Sequence, residues 1–267
     1  MPVLLTRPAS AVARATASLL LDDGAQVRLF GTGAPGELRA RGAFVADGTP
    51  DDHGLLEAAL AQVHTMIHVG PGLTVDDADH LVVEARLALD AAERAGVQRV
   101  VVLSLPGADP HSDDPLRAAA GLVEADAESR PYPTVAVRCS LVDTPATRDL
   151  LATLPGRTHD DVVVAPLRID DLAQGLLAID EARSRATSGH VVFDAIGPEP
   201  LTLDAYLRQV GVRGEDGSTD LVGRVYRPGG ADAPGRRAIS GPWVPSDDSV
   251  AADLWSFAEH TPRPVTP

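Results

Sequence analysis

Length, composition and charge already exclude several classes of protein. The chain has 267 residues, which fits one large α/β domain, or one domain with a small lobe. Hydrophobic residues make up 44% of the chain but aromatic residues only 3%, so the core must be built from Ala, Val and Leu. A net charge of −15 disfavours nucleic acid and anionic membranes as partners, because both are recognised through Lys and Arg.

Missing residue types narrow the chemistry further. The sequence has no Lys and no Asn, and its one cysteine is Cys139. It therefore has no Schiff-base lysine, no phosphate-loop lysine, no intrachain disulfide and no cysteine-based metal site. No apolar run is long enough to span a bilayer, and residues 1–6 lack the basic start of a signal peptide. We therefore expect a cytoplasmic protein with no membrane partner.

Strand and helix patterns alternate along the first half of the chain. The predicted strands cover residues 3–6, 26–30, 43–46, 65–69, 100–103 and 134–138. Apolar residues recur at helical spacing between the strands, and the longest predicted helix covers residues 75–95. Strands separated by helices of this length imply parallel pairing with right-handed crossovers. The fold class we predict is α/β, a doubly wound parallel sheet of about six or seven strands with helices on both faces.

The second half predicts a small C-terminal lobe and an irregular end. It has strand patterns at residues 162–164 and 191–193, and helix patterns at 170–182 and from Leu203. From residue 214 the chain becomes rich in Gly, Pro, Asp and Arg, which favours loops. We therefore predict one domain over residues 1–213, including the small lobe, and a loop-rich extension over 214–267 that packs on it.

Six segments follow one another along the chain: AFVADGTPDDHGLLEAAL, MIHVGPG, AAERAGVQRVVVLS, RPYPTVAVRCSLV, PLRIDDLAQGLLA and GHVVFDAIGPEPLTLDAY. In this order they resemble the extended and atypical short-chain dehydrogenase/reductase superfamily, in particular its NmrA-like and epimerase-like branches. The resemblance covers about residues 3–210. The resemblance implies a Rossmann-like fold and an NAD(P) site at the carboxyl ends of the strands. The matching positions of that cofactor site are Thr6, Arg7, Ser10, Ala13, Asp47, Gly70 and Pro71.

The phosphate-binding turn departs from the family's pattern. Arg7, Ser10 and Ala13 stand where the family has glycine. Arg7 is the severest change, because it lacks glycine's freedom to adopt a positive φ and places a long side chain at the mouth. We therefore expect impaired dinucleotide binding and no bound cofactor. The alternative is that NAD(P) is retained through altered contacts, with Arg7 and the following helix N-terminus holding an anion.

The catalytic positions depart as well. The family's Tyr and Lys, four residues apart on one helix, fall here near Leu116 and Ala120. Ser104 is kept, either as a serine that caps a turn or as a hydrogen-bond donor to a substrate. His111 lies in an acidic loop after the fifth strand, and is either part of a solvated loop or an acid/base group that titrates near neutrality. His68 is interpreted as a core or edge histidine, and we predict no metal site.

Two functional hypotheses follow. The first is a non-redox Rossmann protein that binds a ligand or regulates, as NmrA-like proteins do. The second is an enzyme, either a divergent NAD(P)-dependent oxidoreductase or epimerase, or a cofactor-free isomerase, dehydratase or cyclase. Both place the site at the carboxyl ends of the first, fourth and fifth strands. Its predicted lining is Arg7, Gly70, Pro71, Ser104 and the His111 loop. Arg7 favours a small anionic ligand, and a homo-oligomer is compatible with the sequence.

Overall fold

The computed structural model describes residues 1–70, 78–152, 163–182, 189–210 and 244–245. The predicted contribution of Pro71 to the site lies outside these residues. So does the predicted loop-rich extension, except for residues 244–245.

Twelve strands and eight helices are found in the described part of the chain. The strands are β1 (Pro2–Thr6), β2 (Gln26–Phe30), β3 (Phe44–Ala46), β4 (Thr65–His68), β5 (Arg99–Ser104), β6 (Thr134–Cys139), β7 (Val142–Asp143), β8 (Val163–Val164), β9 (Leu167–Arg168), β10 (His190–Ala195), β11 (Leu201–Thr202) and β12 (Val244–Pro245). The helices are α1 (Ala11–Asp22), α2 (Gly36–Ala40), α3 (His53–Leu60), α4 (Ala78–Ala95), α5 (Pro115–Glu128), α6 (Pro145–Ala152), α7 (Ile169–Glu181) and α8 (Leu203–Gln209).

The main sheet has the order β12-β10-β6-β5-β4-β1-β2-β3. Its seven strands from β10 to β3 are all parallel to their neighbours, whereas β12 pairs antiparallel with β10. Every residue of β4, β5 and β6 is buried, as expected of strands covered on both faces. The predicted doubly wound α/β fold is confirmed.

Helices on the two faces of the sheet enclose two separate apolar clusters. One cluster contains buried residues of α1 and α7, including Leu20 and Leu176. The other contains buried residues of α3, α4 and α5, including Leu60 and Leu89. The chain thus leaves β1 toward one face and leaves its neighbour β4 toward the other. A crevice opens where two adjacent strands diverge in this way, at the carboxyl edge of the sheet.

The buried guanidinium of Arg99 connects β5 to the end of α7. Arg99 is 2% exposed, and it donates from Nη1 to the Ile179 carbonyl oxygen at 2.7 Å. It also donates from Nη2 to the Ala182 carbonyl oxygen at 3.3 Å. The last carbonyls of a helix lack partners within the helix, so Arg99 satisfies them from the neighbouring strand.

The small C-terminal lobe is present. It contains a parallel pair, β7 with β9, and an antiparallel pair, β8 with β11. The Asp143 carboxylate accepts a hydrogen bond from the Tyr206 hydroxyl at 2.6 Å, and two from Arg148 at 2.7 Å each. This carboxylate therefore connects β7, α6 and α8. The short elements β7, β9, β11, α2 and α6 were not predicted, because periodicity over a few residues is too weak to reveal them.

Two glycines in helices give opposite expectations for substitution by alanine. A Cβ on Gly121 of α5 would lie 2.3 Å from the Asp109 carbonyl carbon, whereas a Cβ on Gly54 of α3 would meet nothing within 4 Å. Gly121→Ala should lower the free energy of unfolding by roughly 1–3 kcal/mol through overpacking. Gly54→Ala should raise it by up to about 1 kcal/mol, because alanine favours helices. Thermal unfolding of both variants checks this, and equal effects would contradict the packing at Gly121.

Candidate functional site

The turn after β1 keeps the backbone shape of a glycine turn although it is built with arginine. Arg7 has φ = 53°, in the left-handed region. Its N–H donates to the Phe30 carbonyl oxygen at 3.1 Å, and its carbonyl accepts from Ser10 N at 2.9 Å. The expectation that arginine would prevent a positive φ here is therefore wrong. The surrounding hydrogen bonds hold Arg7 in that conformation, at a cost of about 1–2 kcal/mol.

Ser10 begins α1 as its N-cap. Its Oγ accepts a hydrogen bond from Ala13 N at 3.0 Å, so the hydroxyl is directed back onto the helix. Ala13, at the family's third glycine position, is fully buried in the cluster between α1 and the sheet. These two substitutions are therefore accommodated by ordinary capping and packing.

The Arg7 side chain forms an ion pair that spans the crevice. Its Nε donates to Glu84 Oε1 at 3.0 Å, and its Nη2 donates to Glu84 Oε2 at 2.5 Å. The Glu84 side chain is 9% exposed and that of Arg7 is 30% exposed. Since Glu84 lies on α4, this two-pronged contact connects the turn after β1 to the helix that follows β4. The guanidinium is thus engaged with the protein itself at the mouth of the crevice.

His68, at the end of β4, lies close to this ion pair. Its Nδ1 is 3.2 Å from Thr6 Oγ1, which accepts a hydrogen bond from Val69 N at 3.0 Å. Burial lowers the pKa of His68 to about 4; the negative charge of Glu84 opposes this shift and the positive charge of Arg7 adds to it. His68 is therefore neutral near pH 7.

Burial and neighbouring positive charge have opposing effects on the pKa of Glu84. Burial raises its pKa, because a buried carboxyl favours the neutral form. The hydrogen bonds and positive charge of Arg7 lower it, with His68 and His80 acting in the same direction, so the net pKa of Glu84 lies below its ordinary value. Glu84 is therefore negatively charged near pH 7, and its contact with Arg7 is the main effect that favours the charged form.

A narrow recess adjoins this cluster. It is lined by His68, Gly70, Leu81, Ala85, Leu103, Ala119, Ala120 and Val123. Ala120 of this lining lies on α5, and Leu116 is buried on the same helix. These are the two positions that match the family's Tyr and Lys, and both carry apolar side chains. Gly70 allows β4 and β5 to approach closely here, because a Cβ on it would lie 2.2 Å from the Leu103 carbonyl oxygen.

Ser104 belongs to a buried polar network. Its hydroxyl donates to Glu124 Oε1 at 2.5 Å. Arg138 donates to both oxygens of the same carboxylate, from Nε at 2.9 Å and from Nη2 at 2.5 Å, and Nη2 also reaches the Ala108 carbonyl oxygen at 3.3 Å. All three side chains are at least nine-tenths buried. The Ser104 proton is thus already donated to a carboxylate within the protein.

The other predicted site residues have separate surroundings. His111 is exposed, and its backbone N–H donates to the Asp109 carboxylate at 2.9 Å. Asp47 forms an exposed ion pair with Arg39 at 2.9 Å. The structure thus brings together Thr6, Arg7 and Gly70 with His68.

Glu84 was not predicted as a site residue, although the sequence carries a signal for it. Leu81, Ala85 and Ala88 form the buried stripe of α4, and Glu84 lies on that stripe at helical spacing. A carboxylate on the buried face of an amphipathic helix requires a charged partner. The identity of that partner, Arg7, depends on the tertiary fold.

The described residues contain no group of three or more His, Cys, Asp or Glu side chains that could hold a metal ion. Within the same part of the chain, the helices are too short or too polar to cross a bilayer.

Comparison with known proteins gives fold similarity without close sequence similarity. No family model matches the sequence, and no curated protein sequence matches it. The triphenylmethane reductase of Citrobacter sp., complexed with NADP(H), superposes with a TM-score of 0.65 at 17% identity, over 81% of this chain and 77% of that chain. The UDP-glucose 4-epimerase of Thermotoga maritima, with UDP-glucose, gives 0.64 at 15% identity, over 85% and 86%.

A third structure carries the superfamily's name. It is a short-chain dehydrogenase/reductase superfamily protein from Agrobacterium tumefaciens with bound NAD, with a TM-score of 0.60 at 20% identity, over 82% of this chain and 85% of that chain. The chain shares the Rossmann-like α/β fold of these three structures. The resemblance inferred from the sequence segments is thus confirmed at the level of the fold.

Replacing Arg7 by glycine should destabilise the protein in a pH-dependent way. The change relieves the left-handed strain but leaves Glu84 buried and unpaired, so the free energy of unfolding at pH 7 should fall by roughly 1–3 kcal/mol. A carboxyl whose pKa is lowered on folding stabilises the protein above its unfolded pKa, and loses that effect as the pH falls through the folded pKa. The difference between Arg7→Gly and the wild type should therefore be constant near pH 7 and narrow only as the pH falls below the ordinary pKa of a glutamate carboxyl, through the lowered pKa of Glu84.

Denaturant unfolding at several pH values measures this difference. The matched control is the double variant Arg7→Gly/Glu84→Gln, which should recover stability at pH 7 because no unpaired charge remains. A difference that stays constant with pH would show that Glu84 is not the group responsible.

Proposed function

We propose that this chain is a Rossmann-fold protein that binds a small anionic ligand at the crevice beside Arg7 and does not carry out hydride transfer with a Tyr/Lys pair. The observation that carries the proposal is the apolar face of α5. Leu116 and Ala120 stand at the two positions that match the family's catalytic pair; both are buried and apolar, and Ala120 lines the recess. A ketone or alcohol held in the recess would have no proton donor on this face of α5.

Arg7 supports an anionic ligand. Arg7 lies at the carboxyl edge of the sheet, three residues before Ser10, the N-cap of α1, and a helix dipole favours negative charge at its N-terminus. The side chain is still 30% exposed, so an anion can approach it from solvent. A guanidinium binds carboxylate and phosphate groups through two parallel hydrogen bonds.

A second candidate is a dinucleotide-binding protein, and the observation in its favour is the turn after β1. Arg7 keeps the left-handed conformation that a phosphate turn requires, and Ser10 adds only a hydroxyl that caps the helix. The structures that share the fold include proteins with bound NAD or NADP(H). If this candidate is an enzyme, His111 is the acid/base group to substitute first, because histidine is the side chain that most often transfers protons in active sites.

Titration with NADH and NADPH separates the two candidates. We expect the wild type to bind both weakly or not at all, because the Arg7–Glu84 pair spans the crevice. Arg7→Gly/Ser10→Gly/Glu84→Gln should bind more tightly, since it restores two glycines of the turn and removes the carboxylate that would repel a diphosphate. A ligand at about 100 times its dissociation constant stabilises the folded state by about 2.7 kcal/mol, which a thermal shift detects.

The control for the titration is Arg94→Gln, which removes an exposed arginine from the last turn of α4 and should leave nucleotide binding unchanged. Tight NADPH binding by the wild type would refute the main proposal and establish the second candidate. Glycine at position 10 is a mild change, because Ser→Gly at an N-cap costs only a few tenths of a kcal/mol.

A further inference from the structure

Building on the proposed function, we infer that Glu84 is an internal substitute for the ligand. Its carboxylate occupies the guanidinium of Arg7 in the free protein, and an external anion binds by displacing it. The ligand class is an anion that presents two oxygen atoms to one guanidinium, such as a phosphate, a diphosphate or a carboxylate. The contact between Arg7 and Glu84 is then autoinhibitory.

The geometry of the contact supports this inference. Both oxygens of Glu84 are engaged, one by Nε and the other by Nη2 of Arg7. This is an arrangement in which arginine binds free carboxylates and phosphates, so the Nε–Nη2 edge of the guanidinium is taken. An external anion that uses this edge has to replace Glu84.

The side chains of Arg7 and Glu84 differ in solvent exposure. The Glu84 side chain, at 9% exposure, lies on the inner side of the crevice, and that of Arg7, at 30%, lies on the outer side. An anion arriving from solvent reaches the guanidinium first. Arg7 can turn toward it by side-chain rotation alone, because the turn that carries Arg7 is held by backbone hydrogen bonds to Phe30 and Ser10.

Structural need does not account for the pair. A glycine at position 7 would form the same turn without left-handed strain. A largely buried ion pair is rarely more stabilising than apolar side chains of similar size, and the neighbouring positions Leu81 and Ala85 of α4 are apolar. A strained arginine bound to a largely buried carboxylate is therefore better explained by a binding role, since strain of this kind is concentrated at functional sites.

The inference fixes how affinity depends on Glu84. The apparent affinity for an external anion equals the intrinsic affinity multiplied by the fraction of molecules in which the guanidinium is free. If Glu84 leaves the guanidinium free about one-tenth of the time, removing its charge raises the affinity for an external anion about tenfold.

Inorganic pyrophosphate is the probe, with isothermal titration calorimetry on the full-length protein at low salt as the measurement. Glu84→Gln should bind pyrophosphate at least about tenfold more tightly than the wild type. Arg7→Gln and Arg7→Gln/Glu84→Gln should both bind far more weakly than Glu84→Gln. The matched control is Glu57→Gln, which removes one carboxylate from the exposed Arg94–Glu57 pair and tests whether a lower net negative charge alone improves binding.

The outcomes separate this inference from the proposed function. If the wild type binds through Arg7 and Glu84→Gln binds no more tightly, the inference is overturned and the proposed function stands. If Glu57→Gln improves binding as much as Glu84→Gln, the effect is one of net charge and the inference is overturned as well. If Glu84→Gln binds no pyrophosphate at all, the proposal of an anion site at Arg7 fails together with it. Should Glu84→Gln not fold, Glu84→Met places an apolar side chain beside Leu81 and Ala85 and is measured in its place.

Discussion

The ion pair between Arg7 and Glu84 is the interaction on which the charge and the free space of the crevice depend. It joins the turn after β1 to α4 at the point where the two central strands send the chain to opposite faces of the sheet. The pair determines the charge on Glu84 and contributes to the field around His68. It also fills space at the carboxyl edge, where ligands bind in sheets of this kind. In this protein the crevice is therefore bridged by charged side chains of its own.

The ion pair differs from the rest of the core, which is largely apolar. The two apolar clusters are made mostly of Ala, Val and Leu, and the strands β4, β5 and β6 are buried throughout. In such surroundings a charge must be paired, because its desolvation is costly. The buried pair of Glu124 and Arg138 meets this requirement with the help of Ser104, and connects α5, β5 and β6. Ser104 thus has a structural role in the network even though its position matches a catalytic one.

How much could be predicted from the sequence differs between fold and site. The parallel sheet was predictable, because apolar strands such as residues 100–103 alternate with amphipathic helices. The short strands β7, β9 and β11 of the C-terminal lobe were not, since two-residue strands leave no periodic pattern, although the apolar pattern at residues 162–164 did predict β8. Arg7 was recognised as abnormal, but its positive φ was not foreseen, because propensity favours a right-handed or extended arginine and only the surrounding hydrogen bonds override it. Glu84 was detectable as a carboxylate on a buried stripe, whereas its partner lies 77 residues away in the chain.

The chain departs from the family's pattern in two places, the turn after β1 and the helix α5, and the two departures are physically independent. The turn after β1 retains its backbone shape, so a few substitutions there can reopen space for a diphosphate. The wall formed by α5 is different, because Leu116, Ala119 and Ala120 are packed against the interior and carry no group that can donate or accept a proton. The next titratable side chain on that face is Glu124, and its oxygens are already bound by Arg138 and Ser104. A dinucleotide admitted to the crevice would find no proton donor on this wall, so under the function proposed above regained binding would not by itself be regained catalysis.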